Sequence, residues 1–241
     1  MNGWRGRLGI VVPCVNVTME PEFNRLAAQV PGLSIHASRM HLVSTRETGL
    51  TQDALLKMEP LAVDVAVPEL AHAGVGVIVY GCTSGSFAGG AGWDKKIVER
   101  IQEKTRAKAT TTTTAIVAAL KSLKVRKVAL GTPYDEKVTQ LGKAFLEHEG
   151  FQVVNTIALD NVYQICDAPP SAAYNLGRQV DVTTADCVFI SCTQFPTLDA
   201  LGPLEADLGK PVLSANLASF WHALQILQIK PRISGFGSLL Q

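Results

Sequence analysis

Short apolar runs rich in β-branched residues alternate along the chain with stretches whose apolar positions recur about every 3.6 residues. Leu8–Val12, Gly74–Tyr80, Val125–Leu130, Val153–Leu159 and Cys187–Ile190 read as strands. They are apolar throughout instead of alternating, which is the pattern of parallel strands covered on both faces. Residues Asp94–Thr105 predict a surface helix, with Ile97, Val98 and Ile101 on one side and Lys95, Glu99, Arg100 and Glu103 largely on the other. This succession predicts an α/β, doubly wound fold in which ligands bind where loops leave the carboxyl ends of the strands.

The chain also repeats itself. Val77-Ile-Val-Tyr-Gly-Cys82-Thr83-Ser84 is echoed 110 residues later by Cys187-Val-Phe-Ile-Ser-Cys192-Thr193-Gln194, each a strand, a small residue and Cys-Thr. Leu8-Gly-Ile-Val-Val-Pro13 pairs with Val128-Ala-Leu-Gly-Thr-Pro133, and Lys108–Leu120 with Lys210–Leu224. Three matches in one order predict two similar parallel-sheet half-domains related by a pseudo-twofold axis. The expected division is residues 1–115, completed by 215–241, against 116–214, with both Cys-Thr turns facing one cleft between the halves. The threonine run 110–114 reads as a β-rich segment reaching that cleft, and Lys121–Lys127 as a helix end and turn before a strand.

Composition narrows the partners. The 241 residues are 47% hydrophobic and 18% charged, as in compact globular chains, and 22 Lys and Arg against 21 Asp and Glu leave a net charge of +1. No global field favours nucleic acid or an anionic membrane. Apolar runs are too short for a membrane span, and Arg5-Gly-Arg7 followed by Leu8–Val15 lacks the length and cleavage site of a signal peptide. Five cysteines without a C-x-x-C pair argue against disulfides and structural zinc, and point to a reducing cytoplasmic setting. The five histidines show no metal-ligand spacing, so no metal is expected. Neither a G-x-G-x-x-G nor a G-K-[ST] loop is present, leaving nucleotide binding without support.

The chemistry concentrates at Cys82 and Cys192. Each ends a strand, where backbone N–H groups at a following turn or helix start can bind carboxylates and lower a thiol's pKa. Cys82 is therefore expected to alkylate faster than Cys166 or Cys187, which read as small core residues; Cys187, five residues before Cys192, points to the opposite face. Two opposed thiols can remove a proton beside a carboxylate, or add to an activated double bond, while the other delivers a proton, with no cofactor required. Thr83, Ser84, Thr193 and nearby N–H groups would stabilise the enolate-like charge.

These residues resemble the aspartate/glutamate racemase superfamily, and within it the branch of maleate cis-trans isomerases and arylmalonate decarboxylases. The resemblance spans nearly the whole chain, through Pro13-Cys-Val-Asn16-Val-Thr-Met-Glu20, Gly81–Ser86, Thr132-Pro-Tyr134, Asp160-Asn161, Ser191-Cys-Thr193 and Gly209–Asn216. It implies a cofactor-independent isomerase of maleate or a related small dicarboxylate, with Cys82 as nucleophile, Cys192 as proton donor, and Asn16, Tyr134 and Asn161 on the carboxylates. A two-cysteine amino-acid or hydroxy-acid racemase or epimerase is the alternative, followed by an arylmalonate-type decarboxylase, against which the presence of Cys82 counts because that enzyme keeps only the second cysteine. A noncatalytic carboxylate binder would show binding without turnover. The isomerases typically carry Pro-Ser-Ser-Asn-Thr-Thr where this chain has Pro13-Cys14-Val15-Asn16-Val17-Thr18, implying a drier pocket mouth and a substrate with an apolar substituent. A homo-oligomer is expected, as for many metabolic α/β enzymes.

Overall fold

The computed structural model describes residues 3–42 and 50–241. Two four-stranded parallel sheets share one strand order. In the first, β1 (Gly6–Pro13) and β3 (Val77–Tyr80) lie between β2 (Leu33–Met40) and β4 (Lys108–Thr111), giving β2-β1-β3-β4. In the second, β5 (Lys127–Thr132) and β7 (Cys187–Ile190) lie between β6 (Gln152–Ala158) and β8 (Val212–Ser214), giving β6-β5-β7-β8. Every pairing is parallel. The predicted repeat is thus a repeat of topology.

The central strands are apolar because both faces are covered. In β3, Val77 and Val79 enter the large core shared by both halves, while Ile78 and Tyr80 enter a smaller core beneath α2 (Gln52–Leu61), a π-helical turn Ala62–Ala66, α3 (Val67–His72) and α5 (Trp93–Lys104). The strands that the hydrophobic pattern did not reveal are edges or very short. β2 is Leu-Ser-Ile-His-Ala-Ser-Arg-Met, half covered and polar at alternate positions, and β8 has three residues. Edge strands bury one face and need no continuous apolar run.

The threonine run divides between elements. Thr110 and Thr111 close β4, and Thr112–Thr114 open α6 (Thr112–Ser122), whose first turn is capped by Thr111 Oγ accepting from the Thr114 N–H at 3.1 Å. Ser214 repeats the device on α10 (Ala215–Ile226), accepting from the Leu217 N–H at 3.2 Å. These two helices pack on each other, and α10 also covers β3 and β4 of the first sheet. Phe220 of α10 meets Phe23 of α1 (Met19–Ala27) edge to face, 5.4 Å between centroids. Among the described residues no helix is long and apolar enough to cross a membrane.

In both sheets the chain order reverses between the two central strands, so β1 and β3 leave for opposite sides and open a crevice at their carboxyl ends, as do β5 and β7. Gly81, immediately after β3, permits that exit. A Cβ there would sit 2.6 Å from Met19 Sδ and 2.9 Å from the Val11 carbonyl oxygen. We expect Gly81→Ala to lower unfolding free energy by about 1–3 kcal/mol, measured by urea denaturation, because the strand backbone cannot yield as a flexible side chain would.

Candidate active site

Each of the four crevice-facing strand ends delivers a polar group to one place. Asn16 follows β1, Cys82 follows β3, Tyr134 follows β5 and Cys192 follows β7. All four, with Thr83, Ser84 and Thr193, line a single cleft of about 450 Å³. Of the residues expected to act on or bind the substrate, Asn161 is not on this wall: it lies in the loop after β6, its N–H donating to the Pro133 carbonyl at 2.8 Å, while its neighbours Val162 and Tyr163 reach the cleft.

The two cysteines occupy equivalent strand ends but different backbones. Cys82 is extended and forms the N-cap of α4 (Thr83–Phe87), its Sγ accepting from the Gly85 N–H at 3.4 Å with Ser84 Oγ at 3.8 Å. Cys192 has φ = 92°, a left-handed conformation that a residue with a Cβ rarely adopts. No helix starts at Cys192, because the chain runs through a turn to α9 (Leu198–Leu208). Its Sγ accepts from the Gln194 N–H at 3.4 Å.

The turn after Cys192 is gripped from the first half. Asn16 accepts the N–H groups of Thr18 and Met19 on Oδ1 at 3.0 Å each and donates Nδ2–H to Thr193 Oγ at 3.0 Å. Thr193 Oγ–H donates to the Gly81 carbonyl at 3.1 Å, and Thr18 Oγ–H to the Gln194 carbonyl at 2.8 Å. Cys82 and Cys192 are thereby registered to each other through the bond between Thr193 and Gly81.

Burial, not the nearby N–H groups, dominates both thiols, correcting the expectation of a lowered pKa. Loss of water raises Cys82, and the Gly85 N–H and Ser84 hydroxyl offset this only in part. Cys192 is pushed up to about 12 by burial, with the Gln194 N–H and the Tyr134 hydroxyl pulling it back and the charge of Cys82 raising it further. Tyr134 is raised well above the usual phenol value by burial and by both sulfurs, so it stays a neutral donor. With both thiols raised by burial and charge on Cys82 raising Cys192 further, the cleft does not hold two thiolates near neutrality.

Val15, Leu55, Met58 and Val162 add an apolar part to the same lining. Sequence reasoning anticipated Val15 but not Leu55 and Met58, which sit on the buried face of α2 and carry no signal distinct from ordinary core residues. Cys14 and Val17, also expected at the mouth, are exposed and do not line the cleft. Among the described residues no group of three or more His, Cys, Asp or Glu could hold a metal ion.

A family model described as arylmalonate decarboxylase matches residues 8–240. The chain belongs to the arylmalonate decarboxylase family. Among this family member's relatives, maleate isomerase from Nocardia farcinica is 32% identical over 246 residues, 98% of this chain and 95% of its own. A maleate isomerase structure from Pseudomonas putida, a Cys-to-Ala variant with maleate, superposes with a TM-score of 0.91 at 28% identity, covering 98% of this chain and 97% of that one. A Nocardia farcinica maleate cis-trans isomerase structure, a Cys-to-Ser variant with a covalently bound succinylcysteine intermediate, superposes at 0.90 with 29% identity, covering 98% of each chain.

The exposure of the thiols orders their reactivity differently from the sequence expectation. Cys14 is exposed and Cys166 partly so, whereas Cys82, Cys187 and Cys192 are buried. Cys187, inside β7, is raised furthest by burial, and its S–H donates to the Val188 carbonyl. Peptide mapping after iodoacetamide treatment of the ligand-free native protein should find Cys14 first, then Cys166, then Cys82 and Cys192, with Cys187 last. Cys82 labelled ahead of Cys14 would contradict this account.

Proposed function

We propose that this chain is a cofactor-independent cis-trans isomerase of maleate or a close small dicarboxylate, with Cys82 as nucleophile and Cys192 as proton donor. The observation that carries this reading is the pair of buried thiols at matching strand ends on one cleft. Addition needs one sulfur as thiolate and the other as thiol, and charge on Cys82 keeps Cys192 in the thiol form.

The Cys82 thiolate attacks one alkene carbon, a C–S bond forms, and the π electron pair moves onto the adjacent carbon and its carboxylate. The Cys192 S–H protonates that carbon and becomes the thiolate of the pair. Rotation about the former double bond, now single, swings the carboxylates apart. Cys192 then removes the proton from the same carbon, the double bond re-forms, and Cys82 departs as thiolate with release of fumarate.

Neutral donors suit this cycle because they hold a carboxylate without quenching the thiolate. Tyr134, Thr83, Ser84 and Asn16 are assigned to the carboxylates, Asn16 retaining a second Nδ2 hydrogen beyond the one given to Thr193, whereas Thr193, its hydroxyl hydrogen already given to Gly81, is assigned to fixing the cleft. Asn161 is assigned a role at the outer rim, beside Val162 and Tyr163. Five unpaired cysteines suit a reducing cytoplasm, and a homo-oligomer is the proposed assembly.

A second reading concerns substrate size. The wall of Val15, Leu55, Met58 and Val162 offers a four-carbon dicarboxylate no polar partner but would bury a substituent on its alkene. An added methyl group is worth about tenfold in kcat/KM when a pocket encloses it.

Proton NMR of maleate with the purified protein, without added cofactor, should show fumarate, and Cys82→Ala should abolish it. Absence of fumarate, with exchange of an α-proton on amino or hydroxy acids instead, would transfer the site to racemase chemistry. Since only the thiolate of Cys82 reacts and burial holds its thiol up, kcat/KM should climb with pH across about pH 7 to 9. A fall over that range would overturn the role of Cys82. If the apolar wall selects substrate, 2-methylmaleate should exceed maleate in kcat/KM, and equal or lower values would remove that reading.

A further inference from the structure

Outside the cleft, one carboxylate is buried where no substrate needs it. Glu22 of α1 is 5% exposed. Its Oε1 accepts the N–H groups of Thr197 at 2.7 Å and Leu198 at 3.1 Å, capping the first turn of α9. Its Oε2 accepts from Asn216 Nδ2 at 2.6 Å. Asn216, fully buried in the first turn of α10, uses its other Nδ2 hydrogen on the Thr193 carbonyl at 3.0 Å. The amide's Oδ1 has no partner, so the structure accepts an unpaired buried oxygen to keep both donors in place.

We infer that Glu22, acting through Asn216, is a positioning residue for Cys192 that holds the strained turn bearing this thiol against the cleft. The inference rests on the proposed role of Cys192 as proton donor.

The asymmetry between the halves supports it. Cys82 sits in a relaxed extended conformation and its loop becomes helix at once, so its geometry is largely self-supporting. At the matching position of the other helix, Thr113 of α6 holds that loop with neutral bonds, its N–H and Oγ–H donating to Ser86 Oγ and the Ser86 carbonyl, each at 3.3 Å. Cys192, at φ = 92°, has no helix after it until Leu198. A left-handed residue with a side chain persists only where its surroundings over-determine it, and the restraints here fall on Thr193, Gln194, Thr197 and Leu198. Glu22 or its partner Asn216 makes three of them. Burial raises the Glu22 carboxyl, while the Asn216 amide, both N–H groups and Arg25 draw it down. Arg25 is itself paired to Asp199 of α9 at 2.6 Å, so it does not displace Asn216.

Glu22→Gln is the informative change, because Gln keeps the size but places N–H₂ where an acceptor is required. It can retain the two backbone N–H groups only by facing Asn216 with a donor, which forces the Asn216 amide to turn and release Thr193. The expected result is a fall in kcat for maleate of about 100-fold with KM within about threefold, since the carboxylate-holding groups remain. By peptide mapping, alkylation of Cys192 in the native protein should accelerate about tenfold as the turn opens, with Cys82 changed less than about twofold. Cys82 is the internal control that a general loss of structure would also move.

Equal acceleration at both thiols, or a folded variant with kcat and Cys192 alkylation both within twofold of the parent, would overturn the inference. If Glu22→Gln does not fold, Asn216→Ala decides by the same criteria, because it removes the bond to Thr193 while leaving Glu22 on α9. The thiol measurement does not depend on maleate: a parent protein inactive on maleate whose Glu22→Gln variant still frees Cys192 selectively would refute the isomerase reading and leave the positioning role standing.

Discussion

Thr193 is where the two halves of the molecule are locked in register. Its hydroxyl receives a hydrogen bond from Asn16 and gives one to the carbonyl of Gly81, and its own carbonyl is held by Asn216. Those three partners lie after β1, after β3 and at the start of α10, so one threonine ties together the ends of three elements that arrive from different directions. Of the bonds between the two strand ends carrying sulfur, it makes the one that joins the residue after Cys192 directly to the residue before Cys82. Addition to a double bond and delivery of a proton to its neighbour require fixed placement within fractions of an ångström.

The second constraint is electrostatic. A dry site strengthens every charge interaction inside it, and among the described residues no Lys, Arg or His lines the cleft. A nearby guanidinium would hold a carboxylate more tightly but would also stabilise a resting thiolate and lower its basicity. Hydroxyl and amide donors avoid this. Tyr134 stays protonated because both sulfurs and its burial oppose ionisation, so it can donate throughout the cycle.

Much of this was legible before any coordinates. The three sequence echoes became matching sheets with the same strand order; Cys82, Cys192, Thr83, Ser84 and Thr193 stood out by their place after apolar runs, Asn16 and Tyr134 only through the family resemblance, and all seven line the cleft. What the sequence concealed has physical reasons. β2 and β8 lack apolar runs because one is a half-covered edge and the other is too short. The raised thiols were hidden because a strand-end motif shows its hydrogen-bond donors but not how much water the folded chain excludes from them. Glu22 was silent for a related reason. A glutamate in an amphipathic helix reads as solvated surface, and its partners lie 175 and 194 residues away.

The docking of α10 onto β3 and β4 bears on how the chain is made. During synthesis the first sheet emerges early, with Val77 and Val79 already paired to their neighbours, yet the helix that shields one face of it is translated only after the whole second sheet. Vectorial folding that finishes one domain before starting the next is therefore closed to this protein, and the nascent first half waits with greasy surface uncovered.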